Sequence, residues 1–377
     1  MLLRKLSVAI TFLILLLKYG YAQTSTDSSL QSIPIKTSTS PVPYKKSKFV
    51  AVPVFYYEPE TRFGIGVAGN YKIHFAFDST EKRASNVQFS VSATQLHQVI
   101  IAFPFQLWLN KEKYNIYGET NFYKYNYLFF GIGNSEPKDF KERYSLRFPR
   151  IRINALKRII TNLYAGIRYS LDNFHMHKLD TAGELITGKI TGGRGGKTSG
   201  LGVEIKYDTR DMPYYPTKGS FIELFTQSDS KYTGSNFNFN KFSFDASTYY
   251  TLLKQHTFAF NIYTAIIDGN PPFNQMALLG GPKRMRGFYE GRYRDKNAWV
   301  AQTEYRVVIY KKLGAVVFSG IGSVSDNLSS YFNRYVRFTY GAGVRYNFDT
   351  TQHFNIRFDV GAGNKHLNYY LTIGEAF

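Results

Sequence analysis

The chain of 377 residues contains no cysteine, so disulfides, thiol chemistry and lipoprotein anchoring are excluded. Acidic residues are also scarce: 27 Asp and Glu stand against 47 Lys and Arg, which leaves a net charge of +20. Beyond the N-terminus, no apolar run approaches the roughly 20 residues that a membrane-spanning helix needs. Helix-period patterns are nearly absent as well. These absences disfavour a helical membrane protein and a small domain stabilised by disulfides.

The first 48 residues indicate export rather than a folded domain. A basic start, an apolar run over residues 6–17 and the small residue Ala22 are typical of a secretory signal peptide over residues 1–22. The alternative, an uncleaved anchor, requires a longer apolar run. Residues 23–48 are rich in Ser, Thr and Pro and show no periodicity, so we expect a periplasmic linker there.

Aromatic residues are abundant, with 31 Tyr and 32 Phe. Together with the export signal and pervasive alternation, they favour an outer-membrane β-barrel over a soluble sandwich, with the tyrosines in the interfacial girdles. The basic excess then indicates attraction to anionic lipid head groups or a cationic lumen, because an exported barrel has little access to nucleic acid. Solvated loops with no specific role are the alternative explanation of the charge.

From Phe49 onward, apolar and polar residues alternate in one segment after another. In one of the last segments, Ile356 and Phe358 alternate with Arg357 and Asp359. Full charges on one face suit strands that turn apolar side chains to lipid and polar ones to a wet lumen. We therefore predict an all-β, antiparallel transmembrane barrel of about sixteen strands over residues 49–377. The predicted strands are 49–57, 62–76, 84–94, 96–108, 112–126, 143–155, 160–174, 199–209, 218–229, 238–251, 255–267, 297–310, 313–324, 333–348, 352–363 and 367–377.

The predicted connections alternate in length. If residue 49 enters from the periplasm, the longest breaks, at 127–142, 175–198 and 268–296, all fall at odd-numbered connections. Even-numbered connections such as 311–312 are mostly short. Long external loops and short periplasmic turns are the rule for outer-membrane barrels, so the lengths support the strand assignment independently.

One even-numbered connection has an unusual composition. The segment YDTRDMPYYPTKGSF, residues 207–221, places Asp208 and Arg210 before two prolines and Gly219. Proline has no N–H to donate to a strand ladder, so Pro213 and Pro216 end the strand pairing here. We expect a rigid, charge-rich turn at the periplasmic rim.

The longest loop contains LLGGPKRMRGFYEGRYRDKNAWVAQTEYR, residues 278–306. A loop of this length is usually functional or disordered, and the step Gly280 and Gly281 with a compact arginine set favours a folded one. We expect it to return into the lumen. There Arg286 needs a carboxylate partner, for which Glu304 on the following strand is a candidate. The alternative is a solvent-exposed basic loop that touches lipid A phosphates.

Several segments resemble the bacterial surface-antigen superfamily of BamA/TamA-like outer-membrane proteins. GLGVEIKYDTRDMPYYPTKGSFIELF resembles the family's Asp-Arg-Asp, Pro, Gly turn, and LGGPKRMRGFYEGRYRDKNAWVAQTEYR resembles its sixth external loop. GAGVRYNFDTTQHFNIRFDVGAGN with YYLTIGEAF resembles its last strands and terminal aromatic residue. The resemblance implies a loop that locks into the lumen, a rim turn, and a terminal aromatic that assembly machinery recognises. These sites are, in that order, Arg286, Gly287 and Phe288; Asp208, Arg210, Asp211, Pro216 and Gly219; and Phe377.

Three features depart from the pattern of that family. Polypeptide-transport-associated domains usually precede the barrel, and residues 23–48 are too few for one, so we expect a form that lacks them. The thirteenth strand often carries an Asp that pairs with the loop arginine, where this chain has Gly320. Glu375 stands where the terminal signal usually prefers an apolar residue. The partner of Arg286 therefore stays open beyond the candidate Glu304.

The resemblance implies a mechanical function without covalent catalysis, in the insertion or export of outer-membrane proteins. In that family the first and last strands meet at a weak seam, to which client strands add by edge pairing. Pro53 lacks a donor, so we expect the pairing between the segments around Pro53 and Tyr369 to be the least stable in the barrel. The expected partners are outer-membrane lipids including lipopolysaccharide, and unfolded client proteins or a separate periplasmic protein. No nucleic acid, cofactor or metal is expected.

Two other functions stay open from the sequence. The barrel could be a passive or substrate-specific channel with the long loop as its plug, or a structural or adhesive barrel that acts through its external loops. An enzyme is not expected, because the chain has no Gly-x-Ser-x-Gly motif and the pair His175 and His177 has no third metal ligand beside it.

Overall fold

The computed structural model describes residues 48–73, 83, 85–134, 140–332, 335–349, 354–364 and 366–377. Within them, sixteen strands close into one antiparallel barrel, in which sequential barrel strands are neighbours and the first strand meets the last. The predicted signal peptide, and the predicted linker apart from residue 48, lie outside the described residues. The barrel strands are β1 (Lys48–Glu58), β2 (Arg62–Ile73), β3 (Ser85–Thr94), β4 (Val99–Leu109), β5 (Tyr114–Phe129), β6 (Glu142–Ile160), β7 (Leu163–Leu179), β8 (Gly196–Asp208), β9 (Gly219–Asp229), β10 (Phe239–Leu253), β11 (His256–Gly269), β14 (Asn297–Tyr310), β15 (Leu313–Ser325), β16 (Arg337–Asp349), β17 (Phe354–Gly363) and β18 (His366–Ile373).

Two further strands lie in the connection between β11 and β14. They are β12 (Ala277–Leu279) and β13 (Tyr293–Asp295), and they pair with each other rather than with the barrel wall. Among the described residues, no helix is long and apolar enough to cross a membrane.

Side chains alternate between the two faces of the barrel wall, because successive residues of a strand point in opposite directions. On β17, Arg357 and Asp359 are 2% and 0% exposed and face the lumen. Ile356 and Phe358 on the same strand expose 39% and 42% of their surface on the outer face. The predicted orientation, apolar toward lipid and charged within, is confirmed.

The predicted strands are confirmed as elements, but several boundaries move. β4 begins at Val99 rather than 96, because His97 adopts a left-handed backbone with φ of 58° in the preceding turn. β6 continues to Ile160, past the predicted end at 155. β18 stops at Ile373, because Gly374 has a φ of 86° and turns the chain out of the ladder. The early end of β18 has consequences for the seam.

The connections divide the barrel into a long-loop end and a short-turn end. At the long-loop end, strands β5 to β7 extend far and pack against the connections that follow β7 and β11. The residues of this apolar cluster are Phe129, Tyr144, Leu146, Phe148, Phe174, Leu185 and Phe273. Their burial holds the connection after β11 over the mouth of the barrel and directs its continuation inward.

Candidate functional site: the plugged lumen and the seam

The connection between β11 and β14, residues 270–296, enters the lumen, and we name it the plug loop. Gly280 and Gly281 have φ values of 105° and 85°, a left-handed backbone that glycine adopts without steric cost. The Gly280 N–H donates to the Arg284 carbonyl and the Gly281 N–H donates to the Phe288 carbonyl, both at 3.0 Å. A Cβ on Gly280 would lie 2.2 Å from a carbonyl oxygen. The glycine pair therefore forms the tight turn that sends residues 282–288 into the barrel.

Arg286 lies at the inner tip of the plug loop and is 2% exposed. Its guanidinium contacts the carboxylates of Glu304 on β14 and Asp359 on β17, which are both fully buried. The guanidinium carbon also lies 3.7 Å from the centre of the Phe318 ring. The structure thus places the predicted candidate Glu304 beside Arg286 and adds Asp359 as a second partner.

The charged contacts continue beyond Arg286 into a buried network on the lumen wall. Arg306 Nε donates to Glu304 at 2.7 Å, and Arg345 Nη1 donates to Asp359 at 2.6 Å. Arg345 Nε reaches Glu375 at 2.8 Å. Arginines and carboxylates alternate through the network, so every buried acid in it has a cationic partner. Removing one member of such a network leaves an uncompensated buried charge, which is costly.

Gly287 and Phe288 dock the plug loop on β17 and β18. Gly287 has a φ of 118°, and a Cβ there would lie 2.6 Å from the Ala362 carbonyl oxygen of β17. The Gly287 N–H donates to the Tyr370 hydroxyl at 3.0 Å, and Asn368 Nδ2 donates to the Gly287 carbonyl at 2.7 Å. The Tyr370 hydroxyl donates in turn to the Phe288 carbonyl at 3.1 Å. Close backbone approach and these three bonds attach the loop to the strands at the end of the chain.

The plug loop also contacts the turn between β1 and β2. The Glu290 N–H donates to a carboxylate oxygen of Glu60, whose side chain is 2% exposed. Burial, with the nearby Glu290 carboxylate, raises the pKa of Glu60 well above its ordinary value. The loop touches both sides of the junction between β1 and β18.

The junction between β1 and β18, which we name the seam, has the least strand pairing in the described barrel. A single register pair, Tyr57 with Leu371, joins the two strands. On its other side β1 forms eleven register pairs with β2, and β18 forms eight with β17. Fewer ladder pairs mean fewer backbone hydrogen bonds across this boundary than across its neighbours.

The seam is short because the chain leaves the ladder after β18. From Gly374 the last residues turn into the lumen, where Asn355 Nδ2 donates to Glu375 at 2.7 Å. Arg306 Nη2 donates to the Phe377 carbonyl oxygen at 3.0 Å, and Ala376 is 5% exposed. The residues that could extend the pairing with β1 are instead bound to the buried charged network.

Pro53 and Tyr369 lie on the two seam strands but are not register partners. Pro53 pairs with Val67 of β2, and Tyr369 pairs with Val360 of β17. Extending the register of Tyr57 and Leu371 would bring Pro53 opposite Glu375, which has turned inward. The missing pairing therefore follows from the inward turn at the chain end as well as from the proline.

The edge of β1 that faces the seam is open over most of its length. Among the described residues, only Tyr57 of this strand has a ladder partner in β18. Outer-face residues Phe49 and Phe55 are 59% and 62% exposed. An edge strand with unpaired N–H and C=O groups is a template for pairing with another strand.

The rim turn, residues 209–218, is a rigid connection at the short-turn end. Arg210 donates to both carboxylate oxygens of Asp208, at 3.0 Å and 3.1 Å. Pro216 is buried, and Gly219 has a φ of 96° with the Thr209 carbonyl oxygen 2.2 Å from where a Cβ would stand. The bidentate pair, the buried proline and the glycine together hold the turn in one conformation.

Asp211 ties the two halves of the rim turn together. Its carboxylate accepts hydrogen bonds from the N–H groups of Met212 and Thr217, both at 2.9 Å, and of Lys218 at 3.3 Å. The Thr217 hydroxyl donates to it at 2.5 Å. Burial works against the charged form, but the bonds from Thr217 outweigh it and hold the pKa of Asp211 below its ordinary value.

We expect Asp211→Ala to loosen the rim turn by about 1 kcal/mol, since the side chain is solvent-exposed and its bonds are individually weak. Because the folded-state pKa is depressed, the wild-type contribution is present above the ordinary aspartate pKa of about 3.9. It is lost as the pH falls through the lower folded value. Amide hydrogen exchange of residues 209–218, followed as the pH is lowered, measures both effects. Lys218→Ala, which removes only a solvent-exposed side chain of the same turn, is the control and should leave exchange unchanged.

Several contributors to the site were not predicted, among them Asp359, Tyr370 and Glu60. A sequence signal did exist for Asp359, because it shares the polar face of a predicted strand with Arg357. No sequence pattern pointed to Tyr370 or Glu60, since a tyrosine near the end of a strand and a glutamate in a short turn are common in exposed positions. Only the three-dimensional packing brings them to the plug loop.

Comparison with known proteins identifies relatives of this arrangement. A family model described as the Omp85 superfamily domain matches residues 56–377. No curated protein shows significant sequence similarity to the chain.

Solved structures with the same fold have low sequence identity to the chain. BamA from Haemophilus ducreyi lacking POTRA domains 1–3 is 12% identical with a TM-score of 0.59, covering 87% of this chain and 70% of that one. CdiB from Escherichia coli is 12% identical with a TM-score of 0.61, covering 89% of this chain and 64% of that one. CdiB from Acinetobacter baumannii is 14% identical with a TM-score of 0.55, covering 87% of this chain and 59% of that one. The chain thus spans less than two thirds of either CdiB protein, and the likeness establishes the barrel fold.

Proposed function

This chain belongs to the Omp85 superfamily, and we propose that it inserts or exports outer-membrane proteins by opening the seam to client strands. The observation that carries the proposal is the open edge of β1, which has one ladder partner in β18. Members of this superfamily such as BamA and CdiB are assembly or secretion factors of the outer membrane. A client strand that adds to β1 would receive main-chain hydrogen bonds from an edge that is already exposed.

The lipid around the barrel couples opening of the seam to the presence of a client strand. Backbone polar groups that face hydrocarbon without a partner cost several kcal/mol each, so the unpaired edge of β1 favours a strand that pairs with it, and parting the remaining pair without a client is disfavoured. A client strand supplies the missing donors and acceptors as the seam parts. Opening and client pairing are therefore coupled, and the single pair between Tyr57 and Leu371 is all the ladder that must be exchanged first.

The plug loop supports assembly rather than passive conduction. It occupies the lumen through Arg286 and contacts both sides of the seam, through Tyr370 on β18 and Glu60 beside β1. A filled lumen leaves the seam as the route for a client. In the proposed mechanism the loop keeps the two seam strands near each other while their direct pairing stays weak.

We predict that a disulfide across the seam blocks client insertion. Tyr57→Cys with Leu371→Cys places two thiols on register partners, whose Cα separation of roughly 4.5–5.5 Å suits a disulfide. The chain has no native cysteine, so the engineered pair is unambiguous. The assay is insertion of client barrels into proteoliposomes by the oxidised protein, repeated after reduction, which should restore insertion.

The matched control keeps one of the two cysteines. Phe358→Cys with Leu371→Cys joins β18 to β17, a pairing that the mechanism leaves closed, and should insert clients in both redox states. Full activity of the oxidised Tyr57–Leu371 pair would refute seam opening. Depletion of the protein followed by a census of outer-membrane proteins then identifies the clients, and an unchanged census with altered solute uptake would refute the assembly function.

A further inference from the structure

A row of basic side chains crosses the outer face of the barrel near the long-loop end. Lys124 of β5 is the register partner of Arg147 of β6, and Arg147 is the register partner of His175 of β7. These three side chains share the outer face, because register partners point to the same side of a sheet. Arg143 and Lys178 are exposed nearby on the same strands. The row is neither in the lumen nor part of the seam.

Among the described residues, cations outnumber acids around the row, because the cleft that adjoins it is lined by Asp180 against Lys124, Arg143 and Lys178. Like charges directly opposite each other on paired strands destabilise a sheet. Among the described residues, Lys124 and Arg147 form no ion pair, and the side-chain contact of Arg147 is with His177 at 3.5 Å, another basic group. Two cations held side by side without a carboxylate form a site that an anion would stabilise.

A cleft of about 1190 Å³ adjoins the row. Cationic side chains in its lining include Lys124, Arg143 and Lys178. Apolar side chains line it as well, among them Leu128 and, at the start of β18, Leu367. A lining that combines several cations with aliphatic groups matches a ligand that is anionic at one end and apolar at the other.

The position of the row along the strands matches the depth of lipid head groups. Exposed apolar side chains precede it on the same outer face, including Phe122, Ile153 and Ile167, at 41%, 42% and 64% exposure. Outer-membrane barrels carry an outward apolar band between two polar rims, with the long loops outside the cell. The row begins where this band ends, on the side of the long loops.

We propose that this row and the adjoining cleft bind the phosphorylated head group of an outer-leaflet glycolipid, with the acyl chains against the apolar band. Lys and Arg supply charge-assisted hydrogen bonds to phosphate oxygens. The site lies on the membrane-facing surface, so a ligand anchored in the bilayer reaches it more readily than a soluble anion does. The row lies on the outer face of β5 to β7, whereas the cleft also reaches Tyr57 and Tyr369 of the two seam strands, so lipid binding and client insertion are measured separately.

The test measures lipid bound to the intact barrel. The protein is reconstituted in phosphatidylcholine nanodiscs doped with diphosphorylated lipid A, and bound lipid A is counted by native mass spectrometry. Lys124→Gln with Arg147→Gln should lower the affinity about tenfold or more, since each cation near an anionic membrane surface contributes about 1 kcal/mol. The control, Lys157→Gln with Lys254→Gln, removes the same charge from exposed positions away from the row and should retain lipid A.

A second readout separates binding from folding. In zwitterionic micelles the Lys124→Gln, Arg147→Gln protein should unfold at a temperature no lower than wild type, because the substitutions relieve repulsion. Lipid A should raise the unfolding temperature of wild type but not of this variant. If the variant does not fold, Arg143→Gln with Lys178→Gln replaces it in both measurements. Equal lipid loss in the control pair, undiminished binding in the variants, or displacement of lipid A by millimolar inorganic phosphate would each overturn the proposal.

Discussion

Arg286→Ala is expected to destabilise the barrel by about 3–5 kcal/mol, because it leaves the buried carboxylates of Glu304 and Asp359 without their shared partner. Both acids are fully buried, so water cannot replace the guanidinium at low cost. Arg345 still contacts Asp359, and Arg306 still contacts Glu304, which limits the loss. The free energy of urea-induced unfolding in lipid vesicles measures the effect.

Two other variants of the plug loop show how much of this loss of stability comes from the buried contacts of Arg286. Arg284→Ala removes another arginine of the same loop, but one whose side chain is 39% exposed and pairs with a partly exposed Asp245, so we expect a loss of about 1 kcal/mol or less. Arg286→Lys keeps the charge but cannot span two carboxylates with a planar fork, so its stability should fall between wild type and Arg286→Ala. Equal stability of Arg286→Ala and Arg284→Ala would show that the buried contacts of Arg286 do not hold the loop.

Gly287→Ala should release the plug loop from β17 and open the lumen to ions. The residue has a φ of 118°, and an added Cβ would lie 2.6 Å from the Ala362 oxygen and 2.7 Å from its carbonyl carbon. Those atoms belong to the barrel backbone and cannot move aside without disturbing the ladder. The loop must therefore withdraw, which also breaks the bonds from Gly287 to Tyr370 and Asn368. Planar-bilayer recordings should show steady conductance in the variant and a closed wild-type barrel.

The control for this prediction is Gly131→Ala. Gly131 also has a left-handed backbone, with a φ of 85°, but no atom of the described residues lies within 4 Å of its would-be Cβ. It should lose only about 1–2 kcal/mol for the backbone conformation and should remain closed. A large steady pore in the wild type, or a closed Gly287→Ala barrel with normal stability, would contradict the plugging of the lumen by this loop.

The barrel fold was predictable from sequence because the alternation of apolar and polar residues can be recognised within each short segment. A strand that separates lipid from a wet lumen must place Ile356 and Phe358 on one face and Arg357 and Asp359 on the other, and the period of two is visible in any short window. The element boundaries were less predictable. Whether β18 ends at Ile373 or continues to the chain end depends on contacts of Glu375 with Arg345, which is thirty positions earlier.

Contacts of the site were predictable only where a residue type requires a particular kind of partner. A buried arginine requires a carboxylate, so the proximity of Arg286 to some acid could be expected, and Glu304 was a reasonable candidate. The identity of Asp359 as a second partner depends on the depth to which the loop descends, which no local pattern encodes. Strands β12 and β13 were also missed, because three-residue strands carry no periodic signal.

Capture of a client strand by β1 tests seam opening most directly. A protein carrying Phe55→Cys, at the open edge, is incubated with an unfolded client barrel that bears one cysteine in its terminal strand. Val203→Cys on β8, similarly exposed at 54% against 62% but paired on both sides, is the matched control. We expect a disulfide-linked client adduct with Phe55→Cys and none with Val203→Cys. Equal adducts at the two positions, or none at Phe55→Cys while insertion proceeds, would contradict seam opening.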